Sequence, residues 1–126
     1  MTIEKYQLEK RDLWLAKAMN EPSFIDAVFL INYYNREVRP SGPRPWPTDI
    51  IPSEVFGEFN DAEYKTYLEQ AEALLTKTSY VGASHWNYKD AAPYEDAISQ
   101  MKLLHPGFNE NSYNLTSRKS ASDMKC

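Results

Sequence analysis

Between Ser23 and Val38, ten of sixteen residues are apolar or aromatic. Wound as a helix, Phe24, Ala27, Val28, Ile31, Tyr34 and Val38 fall on one face, the i, i+3, i+4, i+7 spacing of a core-facing helix. Ile25, Phe29 and Tyr33 lie on the far side, so both sides need covering, or else the far side is a seam for a second copy. Asn35 projects from within the main stripe. An unpaired amide there would cost roughly 1 to 3 kcal/mol, so its expected role is to tie a neighbouring loop.

Upstream, residues 2–19 carry a broader apolar side made of Ile3, Tyr6, Leu8, Leu13, Leu15, Ala18 and Met19, with Lys, Glu and Arg opposite. This predicts a first helix, capped by Thr2. Pro22 ends it by disfavouring helical geometry at Glu21, and the Ser23-x-x-Asp26 pattern predicts a capped start for the next one. Five prolines between Arg39 and Pro52 predict a stiff, extended connection anchored by Trp46, Ile50 and Ile51, with Arg39 or Arg44 stacked on Trp46. Pro40-x-x-Pro43 fits a bare proline-rich ligand pattern, but Glu37 and Pro45 occupy the positions where basic flanks belong.

Ser53 to Phe59 reads as a single helical turn presenting Val55, Phe56 and Phe59. Asn60 and Glu63 then form a capping pair for a helix whose stripe is Tyr64, Tyr67, Leu68, Ala71, Leu74 and Leu75, ending near Lys77. Thr78 to Asp90 is an aromatic loop. Pro93 suits the first turn of a further helix with the stripe Tyr94, Ala97, Ile98, Met101 and Leu104, stopped by His105-Pro106-Gly107. After Asn109 large apolar residues are scarce, which predicts a weakly helical or docked tail. The expected architecture is a single-domain, all-α bundle of about four main helices over residues 1–108, with a tail over 109–126.

Composition narrows the chemistry. Nine Tyr, five Phe and three Trp stand against four Gly, which argues against an all-β fold and favours large amphipathic contact surfaces. Net charge is −4, with no basic excess to neutralise phosphates, so general nucleic-acid binding is not expected. The one cysteine, Cys126, is terminal and makes no internal disulfide. No run approaches a membrane span or a signal peptide, and the expectation is a cytoplasmic protein; Asn114-Leu115-Thr116 is then a chance sequon. His85 and His105 are isolated and the glycines scattered, so neither a metal site nor a phosphate loop is indicated, and no cofactor is expected. Glu95 and Asp96, adjacent on a helix, diverge and make no catalytic pair. His105 reads as a helix C-terminal residue interacting with the dipole.

The remaining clue is acidic. Glu54, Glu58, Asp61, Glu63, Glu69 and Glu72 are opposed by Lys65 alone. Ordinary helix design explains part of this, since Asp61 and Glu63 complement a helix N-terminus. The rest predicts a docking surface for a basic protein partner, formed by Glu54, Glu58, Glu63, Glu69 and Glu72 with Tyr80, His85, Trp86 and Tyr88 of the aromatic loop. The expected function is non-enzymatic binding, immunity- or antitoxin-like, by a monomer or homodimer. Two alternatives stand beside it. One is a small enzyme or ligand-binding protein with a pocket between the Trp46 and Trp86 loops, His85 as base and Arg39 or Arg44 gripping an anion. The other is a structural homo-oligomeric subunit.

Overall fold

The computed structural model describes residues 3–40, 42, 45–76, 98–99 and 101–125, and they are mostly helical, with no strand among them. The fold is all-α. The chain divides into two units, Met1–Leu68 and Glu69–Cys126.

In the first unit α1 spans Lys5–Met19 and packs on α2, Phe24–Tyr33. The inward side of α1 differs from the one its apolar residues predict. Gln7, Arg11, Trp14, Leu15 and Ala18 are buried or half-buried, whereas Tyr6, Leu8, Leu13 and Met19 face outward. The reason is Arg11, whose guanidinium finds acceptors far along the chain and turns the helix toward them. Trp14 adds to this by stacking on Tyr33 of α2, with ring centroids 5.3 Å apart.

α2 is covered on both sides. Residues 26–32 are buried without interruption, Phe29 on the far side included, and Ile25 and Tyr33 are half-buried. The expected Ser23 cap does not form through its hydroxyl; instead the Ser23 N–H donates to the Glu21 carboxylate (3.2 Å), and Asp26 is buried. The helix also does not continue as an α-helix to Val38. Tyr34–Val38 is a π-helical turn, closed by the Arg39 N–H donating to the Tyr34 carbonyl at 2.8 Å. Such wide turns hold an extra residue, and this one ends the helix just before Pro40.

The proline-rich connection is held by its backbone. Asn35 donates from Nδ2 to the Ile50 carbonyl (3.0 Å) and accepts from the Ile50 N–H (2.8 Å), fulfilling the tie expected of it. Arg39 does not stack on Trp46: it donates to the Pro47 carbonyl and pairs with Asp49 at 3.3 Å. Arg11 donates to the carbonyls of Thr48 (2.8 Å) and Asp49 (2.9 Å). Ile50 is buried, but Ile51 faces outward and anchors nothing.

α3, Pro52–Val55, is the expected single turn, with proline at its first position, where no donor is needed. Gly57, at φ +46°, turns the chain toward α4, Asp61–Thr76. Asn60 caps α4 by accepting from the Glu63 N–H at 2.9 Å. Phe24, Phe56, Phe59, Tyr64 and Tyr67 form one aromatic cluster, the tightest pair being Phe24 and Phe56 at 4.7 Å.

The division between the units falls within α4, after Leu68. In the second unit Ala71, Leu74 and Leu75 of α4 are buried. Residues 98–99 and 101–104 are helical, with Ile98 and Met101 buried but Leu104 outward, against the stripe expected to include it. Gly107, at φ +102°, reverses the chain after this helix. α5 then spans Glu110–Lys125, capped by Asn109, whose Oδ1 accepts from the Ser112 N–H at 3.1 Å. Its buried side includes Ser112, Tyr113, Thr116 and Ser117, with the Thr116 hydroxyl bonded back to the Ser112 carbonyl. Small polar residues that satisfy themselves within the helix can be buried at little cost.

Candidate functional site

The acidic stretch separates into groups with different environments. Glu54 is committed internally: Arg11 Nη2 donates to both its oxygens, at 3.0 and 2.7 Å, and the Ile51 N–H donates at 2.9 Å. The Arg11 side chain is 12% exposed and that of Glu54 32%. The Ile51 N–H, followed by the Arg11 hydrogen bond and charge, holds the Glu54 carboxyl below the usual range despite partial burial. Glu58, Asp61, Glu63 and Glu69 are exposed, Glu72 is half-buried, and Lys65 is exposed among them. On α4, Asp61, Lys65 and Glu69 follow one another at single-turn spacing, so Lys65 sits between two of the carboxylates. Glu63 points to the other flank of the outward side.

Tyr80, His85, Trp86, Tyr88 and Arg44 lie outside the described residues, and so does the pocket expected between the Trp46 and Trp86 loops. Of that pocket's described members, Arg39 is engaged with Pro47 and Asp49, and Trp46 is half-buried. The Trp46 indole N–H is shielded from water and has no hydrogen-bond partner among the described residues. Burial pushes the Tyr34 and Tyr64 phenols above their ordinary range. Among the described residues no group of His, Cys, Asp or Glu converges to hold a metal ion. None of their helices is long and apolar enough to cross a membrane.

A feature that sequence reasoning missed lies in the second unit. Gln70 and Ala73 of α4, with Leu104, His105, Pro106 and Phe108, line a hollow of about 280 Å³. Two of its lining residues are held by Tyr113, which donates its hydroxyl to the His105 carbonyl (2.8 Å), accepts from the Phe108 N–H (3.4 Å) and meets the Phe108 ring edge-on at 5.9 Å. The His105 N–H closes the preceding helix by donating to Met101 O at 2.9 Å, which places His105 at that helix's C-terminus as expected. Beside the hollow, Leu103 and Leu104 are 80% and 65% exposed. The adjacent leucines before His-Pro-Gly were the available signal.

Compared with known proteins, the chain matches no family model, no curated protein and no solved structure.

Proposed function

We propose that this chain is a non-enzymatic protein-binding module that neutralises a basic partner, in the manner of an immunity protein or antitoxin. One observation carries the reading: with Glu54 committed to Arg11, four exposed carboxylates, Glu58, Asp61, Glu63 and Glu69, remain between Glu54 and Glu72, a stretch in which Lys65 is the single cation. An excess of one sign on an exposed helix speeds and orients encounter with a partner of the opposite sign. Glu72 contributes from its half-buried place, and the Tyr80 to Tyr88 segment is assigned to the same surface on its aromatic content alone. A cytoplasmic setting and a single bundle of about four main helices belong to the same proposal.

The test is co-purification of a partner from native lysate, followed by its dissociation constant for the parent and for a variant with Glu63, Glu69 and Glu72 reversed to lysine. The expected result is a loss of about ten-fold or more on reversal, with binding that weakens as salt rises. A partner bound equally well by the reversed variant would overturn the electrostatic reading.

A further inference from the structure

We infer that the hollow beside the C-terminal half of α4 is a socket for one large apolar side chain carried on a basic segment of the partner, an inference that rests on the proposed function above. At about 280 Å³ it lies at the lower end of small-molecule sites and has room for one large aromatic side chain. Its lining mixes apolar contributions from Ala73, Leu104, Pro106 and Phe108 with the polar Gln70 and His105. Leu104 stands 65% exposed at this lining, with apolar area still to cover.

The charge around the socket selects the occupant. Glu69 precedes Ala73 by one turn of α4 and is exposed, so a carboxylate stands beside the apolar lining. The nearby Lys102 is already paired with Glu110. A segment that offers an apolar side chain flanked by lysine or arginine satisfies both features, whereas an acidic one meets like charge at Glu69. The socket is preorganised, because the Tyr113 hydroxyl and ring hold His105 and Phe108 in place before anything binds.

Two synthetic lysine-rich octapeptides, one with a central phenylalanine and one with serine there, test this by fluorescence anisotropy at low salt. The phenylalanine peptide is expected to bind about ten-fold more tightly, and Leu104→Ser or Ala73→Phe should abolish that preference while leaving the serine peptide's affinity unchanged. Leu104→Ser alters an exposed side chain and keeps the test valid if Ala73→Phe fails to fold. Equal binding of the two peptides to the parent chain would overturn the socket and leave the acidic surface standing; binding of neither would overturn both. N-acetylphenylalaninamide binding as tightly as the peptide would make the hollow a small-molecule site and overturn the basic segment. Self-association that Leu104→Ser abolishes would give the hollow to a second copy, with the same result.

Discussion

Replacing Arg11 with lysine keeps the charge and removes the fork. The guanidinium makes four contacts of 3.0 Å or less, to the carbonyls of Thr48 and Asp49 and to both oxygens of Glu54. A lysine ammonium is a single point on a flexible stem and cannot span acceptors that lie on both the connection and α3. At least two charge-assisted hydrogen bonds are lost, each worth about 1.5 to 3 kcal/mol. Glu54, about one-third exposed, recovers part of this by rehydrating, while the Arg11 side chain, 12% exposed, marks a site where water replaces the guanidinium poorly. The net expectation is a loss of about 2 kcal/mol, or roughly 6 to 12 °C in melting temperature for a chain of this size. Urea unfolding followed by tryptophan emission measures it, and a cycle with Glu54→Gln isolates a coupling of about 1 kcal/mol between the two side chains. A lysine variant within about 0.5 kcal/mol of the parent would show that the turned face of α1 is set by Trp14 and Leu15 alone, and would refute the argument.

Other consequences are checked by separate measurements. Asn35→Leu should cost about 2 to 3 kcal/mol, because both backbone groups of Ile50 lose their partner, and the Ile50 amide should lose protection in hydrogen exchange. The folded-state pKa of Glu54 is depressed, so its contribution is fully present above the unfolded value and disappears as pH falls through the folded one; Glu54→Gln should flatten that part of the acid limb of stability against pH. Leu13→Ser on the outward side of α1 should change stability by less than about 0.5 kcal/mol, whereas Trp14→Ala should cost about 3 kcal/mol; equal effects would restore the face expected from the sequence.

What the sequence reveals depends on how far away the deciding partner sits. α2 is legible because its apolar residues cover both sides, so any rotation about its axis buries some of them. Asn35 is legible because a polar group inside an apolar stripe has only costly alternatives to pairing. The outward turn of Tyr6, Leu8, Leu13 and Met19 is not legible from α1, since the acceptors that draw Arg11 inward lie 37 to 43 residues away. α5 is understated for a different reason: periodicity scores large apolar side chains, and this helix buries serine and threonine. The acidic surface is partly legible, as a count of carboxylates, but the count does not show that Glu54 is spent on Arg11 or that Lys65 intervenes between Asp61 and Glu69. The hollow is built by residues more than thirty positions apart, and only the Leu103-Leu104 pair hinted at it.

The π-helical turn at Tyr34–Val38 bears on how this chain tolerates a change of length. A turn closed from residue i to i+5 carries one more residue than an α turn spanning the same rise. Removing exposed Arg36 or Glu37 would let the turn relax to ordinary pitch while α2 before it keeps its phase. The same deletion between Ala27 and Ile31 would rotate every later side chain by about 100° and turn buried residues toward solvent. A single-residue difference in length between two versions of this chain is therefore most easily absorbed at this turn.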